Sequence, residues 1–172
     1  MTEAELIKAC LLNDRIAQRT LYDRYKRAMY TLAYRITGDF DEANDVLQDA
    51  FVDIFRKLDT FKGESTIGAW IRAIVVRKAY HKLKRPKMWE VLEEIPDVSV
   101  IEGGHSIDGE LLEKAILLLP EGFRLVFNLI EVEGYAHKEV AEMLGISEGT
   151  SKSQLFHAKK RLKDLLINKG YV

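Results

Sequence analysis

Apolar residues along the chain recur at intervals of three and four, and no stretch shows the strict alternation of a half-buried strand. The pattern predicts an all-α protein. A short helix is expected over Glu3–Leu11, and Asn13 and Asp14 are placed to cap a longer one ending near Thr37-Gly38. Asp39 with Glu42 has the spacing of a capping box and opens a helix to about Leu58. In that helix Ala43, Val46, Leu47, Ala50, Phe51, Ile54 and Leu58 fall on one stripe. Phe61 to Thr66 reads as a loop. Ser65 or Thr66 can then cap a helix to about Lys84, with Ile67, Ile71, Ile74 and Val75 on its core side.

The periodicity breaks next. Pro86, Pro96, a run of acids and Gly103-Gly104 mark a linker over 86–107. Helices resume near Asp108. Pro120 suits a first helical turn, Gly134 ends that helix, and Gly145 ends the following one. Two helical domains are expected, 1–85 and 108–172, without internal repeats.

Composition narrows the class. Of 172 residues 47% are apolar, enough for a core, and the net charge of -1 argues against a uniformly basic nucleic-acid binder. The charge is nonetheless in blocks. Residues 36–55 hold six acids and no Lys or Arg, 72–87 hold seven Lys or Arg and no acid, and 90–113 hold eight acids and no Lys or Arg. Segregation of this kind predicts several surfaces with different partners. Cys10 is the single cysteine, so an internal disulfide is excluded and a reducing cytoplasm fits. The four His have no metal-ligand spacing, no apolar run approaches the roughly 18 residues of a membrane span, and the start carries no signal-peptide pattern. A cytoplasmic protein without membrane insertion, metal or cofactor is expected. No P-loop or nucleophile elbow is present, so it is not expected to be an enzyme.

Three surfaces go beyond core packing. On 41–58, the side opposite the core stripe carries Asp41, Asp45, Gln48, Val52 and Phe55. Apolar groups exposed among acids mark a docking face; the alternative is that Val52 and Phe55 pack on the linker or the first helix. On 67–84, Trp70, Arg77, His81 and Lys84 line one edge with Tyr80 beside them. Cations pair with phosphates and aromatic faces stack on unpaired bases; the alternative is a solvated basic face with Trp70 in the core. In 137–166, Val140, Ala141 and Leu144, the turn at Gly145, a cap at Ser147, and the stripe Leu155, Ala158, Leu162, Leu165 and Leu166 have helix-turn-helix spacing. Gly149, Ser153, Phe156, His157 and Lys160 point outward, with Lys152, Lys159, Arg161 and Lys163 available to phosphates. A helical hairpin that only packs is the alternative there.

The chain resembles the extracytoplasmic-function sigma factors, the small two-domain members of the bacterial sigma-70 family. "LYDRYKRAMYTLAYRITGDFDEANDVLQDAFVDIFRKL", "FKGESTIGAWIRAIV" and "LPEGFRLVFNLIEVEGYAHKEVAEMLGISEGTSKSQLFHAKKRLKDLL" carry the resemblance, in family order over about 15–85 and 110–167. It implies a factor that binds core RNA polymerase, through the β′ clamp helices and the β flap, and directs promoter-specific initiation. The D-x-x-Q-acid pattern, here Asp45 to Gln48-Asp49, implies docking on the clamp helices by Asp41, Asp45, Gln48, Asp49, Val52 and Phe55. The loop Phe61, Lys62, Gly63, Glu64, Ser65 and Thr66, with Trp70, Arg77, Tyr80, His81 and Lys84, is implied to read the -10 element and help hold it open. The -35 element is implied to meet Gly149, Thr150, Lys152, Ser153, Gln154, Phe156, His157 and Lys160. The acidic 86–107 segment matches the family linker that threads the polymerase toward the RNA exit path; a solvated tether is the other reading.

Arg77 stands where the family often has Asn, His81 where it has Asp, Gln154 where it has Arg, and Ser151 where it has Val. These departures bear on which promoter is read. The resemblance also implies an anti-sigma factor as partner. Two other functions fit the DNA-binding half: a free-standing helix-turn-helix regulator, and a sigma mimic that sequesters an anti-sigma factor.

Overall fold

The computed structural model describes residues 1–83, 89 and 109–168. It divides into two compact units, Met1–Leu83 and Lys84–Val172. The expected linker, 86–107, falls almost wholly outside the described residues, as does Lys84. Among the described residues there are eight α-helices and no strand.

The first unit holds α1 (Glu3–Leu11), α2 (Arg15–Thr37), α3 (Phe40–Lys57) and α4 (Ile67–Leu83). Its ends are set by short polar caps. Thr2 and Glu5 form a reciprocal capping box on α1, and the Asp14 carboxylate accepts from Ile16 and Ala17 N–H to start α2. Gly38 takes the left-handed conformation that closes α2, and Asp39 accepts from Glu42 N–H to open α3 at once. This tight corner lays α3 back along α2.

Helix α4 is wedged between them. Its buried residues, Ile67, Ile71, Val75, Val76, Ala79, Tyr80 and Leu83, cover a wider arc than the predicted stripe because both α2 and α3 pack on it. Gly68 sets the approach to α2: a Cβ there would lie 3.1 Å from the Tyr25 ring. Leu6, Leu21, Ile36, Ile54, Ile67 and Ile71 are fully buried, each stabilising the unit by roughly 1.5–3 kcal/mol before entropy is counted. Cys10 is buried in the same unit, and desolvation with the nearby Asp14 charge pushes its thiol up, away from reactivity.

The second unit holds α5 (Gly109–Leu117), α6 (Glu121–Phe127), α7 (His137–Leu144) and α8 (Glu148–Asn168). Pro120 precedes α6 as its cap residue, and α6 widens into a π-turn over Asn128–Val132. Gly134, at φ 78°, then ends this run as expected. The long α8 gathers the others: Ala158, Leu162 and Leu166 pack with Ala115, Ile116, Leu119 and Phe127.

Candidate nucleic-acid and partner interfaces

The outer face of α3 is exposed where the sequence places it. Asp41, Asp45, Gln48 and Asp49 are exposed, Val52 is 55% exposed, and Phe55 is half-buried. Phe55 leans on Phe51 at 6.0 Å between ring centroids, and Phe51 meets Tyr22 of α2 edge-on at 4.8 Å. Gln48 Nε2 donates to the Tyr22 hydroxyl at 3.3 Å, and Lys26 sits 5.6 Å from the same ring. The face therefore extends onto α2 through Tyr22 and Lys26, which sequence reasoning missed. The one available signal was their i, i+4 spacing on α2.

The loop before α4 presents Lys62, Gly63, Glu64, Ser65 and Thr66 to solvent, with Phe61 half-buried. Gly63 adopts φ 72°, which gives the loop its turn. Of the two candidate caps, Thr66 serves: its hydroxyl accepts from Ala69 N–H at 3.1 Å. That bond fixes the start of α4 and brings Trp70 against Phe61, ring centroids 5.6 Å apart. Trp70 is half-buried, so one part of the indole packs and another is available.

Arg77 and His81 are exposed one turn apart, but Tyr80 turns inward and is 6% exposed. Tyr80 is thus a core residue of the packed α4 rather than a member of the exposed edge, because α3 and α2 cover a broad arc of this helix. Trp70, Ile74, Arg77, Lys78 and His81 join Asp53, Lys57 and Thr60 around a cleft of about 510 Å³. Asp53 gathers two of the lining cations and a neighbour outside the cleft: it lies 2.8 Å from Lys78 Nζ, 3.8 Å from Lys57 and 3.9 Å from Arg56. The Lys78 hydrogen bond holds the Asp53 carboxyl below the usual range. A second bridge between the helices joins Lys82 Nζ to Asp45 at 3.3 Å.

In the second unit α7 and α8 form the helix-turn-helix. Gly145 closes α7 at φ 67°, and Ser147 Oγ accepts from Thr150 N–H at 3.0 Å to open α8. Val140, Ala141 and Leu144 are buried. Gly149, Lys152 and Lys160 are exposed; Thr150, Ser153, Phe156 and His157 are half-buried. His157 stacks on Phe123 at 6.1 Å and takes the edge of Phe156 at 5.3 Å, so its ring is oriented from both sides.

Gln154 departs from the expected face: it is 2% exposed, and its Oε1 has no hydrogen-bond partner. Position 154 shares the inner arc of α8 with Ser151 and Ala158, at helical spacing, which turns it into the core of the unit. Ser151 is fully buried and lies 2.7 Å from His137 Nδ1. Of the basic tail, Lys159 pairs with Glu131 at 2.7 Å. No described helix is long and apolar enough to cross a membrane, and no cluster of metal-binding side chains occurs among the described residues.

Two helical units, one bearing a cationic aromatic cleft and the other a helix-turn-helix, define a two-domain DNA-binding protein. Comparison with known proteins gives its family. Residues 21–89 match Sigma-70 region 2 and residues 109–162 match Sigma-70, region 4. The chain is 30% identical over 174 residues to the ECF RNA polymerase sigma factor SigM of Mycobacterium tuberculosis, covering 99% of this chain and 86% of that protein. It is 29% identical to the RNA polymerase sigma-H factor of Pseudomonas aeruginosa, with 95% and 93% covered. The fold is similar to that of sigma factor RpoE of Bartonella quintana, solved with the anti-sigma factor NepR, at TM-score 0.60 and 24% identity over 87% of this chain and 96% of that one. It is also similar to CnrH, solved with the cytosolic domain of CnrY, at TM-score 0.58 and 22% identity over 95% and 96%. The chain belongs to the extracytoplasmic-function branch of the sigma-70 family.

Proposed function

We propose that the protein docks on core RNA polymerase through the outer face of α3, engages the -10 region with the Phe61–Thr66 loop and α4, and reads the -35 element with α8. The observation that carries this is the pairing, within one small unit, of two unlike surfaces. Exposed Asp45, Gln48, Asp49 and Val52 lie on α3, and Trp70, Arg77 and His81 lie on α4. A free-standing regulator has no use for the first of these.

Each surface suits its task. Carboxylates around an exposed valine and a half-buried phenylalanine offer a partner both charge and an apolar anchor. Trp70 and Phe61 can stack on unpaired bases while Arg77 and Lys62 neutralise phosphate, which favours a melted strand. On α8 the small Gly149 and Ser153 permit close approach to a major groove, and Phe156 can touch a thymine methyl. Lys152 and Lys160 meet phosphate. Gln154 and Tyr80 contribute from within, by packing.

The protein supplies binding and orientation and carries out no reaction itself; the chemistry of transcription is the polymerase's. Its place of action is the cytoplasm. An anti-sigma factor is proposed as the inhibitor, as NepR accompanies RpoE of Bartonella quintana. The direct test is affinity for core polymerase with Asp45→Lys and Gln48→Ala combined. Loss of binding with an intact circular-dichroism melt supports the docking assignment, and undiminished binding removes it.

A further inference from the structure

The ion pairs Asp53–Lys78 and Asp45–Lys82 cross from α3 to α4, and they differ in kind. Asp53 is 16% exposed and faces Lys78, Lys57 and Arg56 together. That acid is backed by further charge, and it holds Lys78 at 2.8 Å beside the cleft. Asp45 is 61% exposed on the proposed docking face, and its carboxylate lies 3.3 Å from Lys82. Lys82 follows His81 in sequence and stands one turn beyond Lys78 on α4. Its ammonium is therefore drawn away from the DNA side of the helix toward the polymerase side.

We propose that Asp45 and Lys82 couple polymerase docking to DNA binding: a polymerase group that takes up the Asp45 carboxylate releases Lys82, whose ammonium then turns to a promoter phosphate. This rests on the reading of Asp45 as a docking residue and of α4 as the DNA side. One carboxylate oxygen at 3.3 Å from a flexible ammonium is a contact that a better-placed cation can displace. An exposed pair of this type is worth a factor of up to about five in an equilibrium constant. The same exchange works in reverse, so removing Lys82 leaves Asp45 free for the polymerase. Lys82 thereby becomes a DNA contact made only when the polymerase is bound. Asp45 becomes a positioning residue for DNA as well as a docking one.

The test uses the full chain, a fluorescent short oligodeoxythymidylate, and core polymerase, with each binding measured separately. Asp45→Asn tightens oligonucleotide binding about two- to fivefold and steepens the log–log salt slope by about 0.7. Asp49→Asn removes the same charge one turn along and tightens it less. Adding Lys82→Gln erases the gain of Asp45→Asn but leaves that of Asp49→Asn. On polymerase, Lys82→Gln binds more tightly than wild type and Asp45→Asn more weakly. Equal gains for Asp45→Asn and Asp49→Asn, or a gain that survives Lys82→Gln, overturn the coupling and leave the docking reading to its own arm. Undiminished polymerase binding by Asp45→Asn overturns the docking reading, and the coupling with it.

Discussion

His137 Nδ1 lies 2.7 Å from the fully buried Ser151 Oγ, joining the first turn of α7 to the inner side of α8. Burial, followed by the Lys152 charge, holds the His137 imidazole below its ordinary value, against the opposing pull of Glu148 and Glu131. The neutral ring is thus favoured in the folded protein. An unfolded chain takes up a proton on this ring at higher pH than the folded one does. The contribution is complete above the unfolded value of about 6.5 and is lost as pH falls from there through the folded value. Thermal melts from about pH 7.5 to 5.5 should therefore fall more steeply for wild type than for His137→Asn. Parallel slopes would show that the contact carries no such linkage.

The turn of the helix-turn-helix depends on backbone rather than contact. Gly145 sits at φ 67°, and a Cβ there would meet nothing within 4 Å. Gly145→Ala therefore costs about 1–2 kcal/mol by conformation alone. Gly145→Asn should cost less, since Asn tolerates this region. Urea unfolding of the three proteins checks the ranking, and an Ala variant as stable as wild type would contradict it.

Burial separates the residues proposed to read DNA, Lys152 and Ser153, from Gln154, which is buried. Gln154→Met keeps the volume and removes an amide whose Oε1 is unpartnered, so stability should hold or rise and promoter preference should stay unchanged. Lys152→Ala should weaken binding evenly across sequences and lower the salt slope by about 0.9. Ser153→Ala should change the preference among -35 sequences. A change of preference in the Gln154 variant would return that residue to the reading face.

Trp70 is held against Phe61 at 5.6 Å by the Thr66 cap. Trp70→Ala should leave polymerase affinity near wild type and reduce open-complex formation by the roughly 1–3 kcal/mol of one stacked base. Permanganate reactivity of promoter thymines reports this. Full opening by the variant would place the indole wholly in the core.

Much of this architecture was legible in the chain. Helix ends followed from local chemistry: Asp14, Asp39, Ser147, Gly38 and Gly145 act within one turn of where they stand. The outer face of α3 could be read because that helix has one buried side. Helix α4 could not be read that way. Its buried arc is wider than that of α3 and takes in Val76, Ala79 and Tyr80, so a single-stripe projection misplaced Tyr80. Gln154 was misjudged for a related reason, since a polar side chain on an inner arc looks like a surface residue until the packing around α8 is known. Tyr22 and Lys26 were missed because their i, i+4 spacing on α2 does not say which helix lies beside them; the Gln48–Tyr22 contact joins residues 26 apart in sequence.

The most direct measurement is the affinity of the full chain for promoter DNA with and without bacterial core polymerase. Tight, sequence-selective binding only in the presence of polymerase is predicted from the proposed docking of the α3 face. Equally strong selective binding by the chain alone would contradict the account and reduce the α3 face to an exposed surface without a role in initiation.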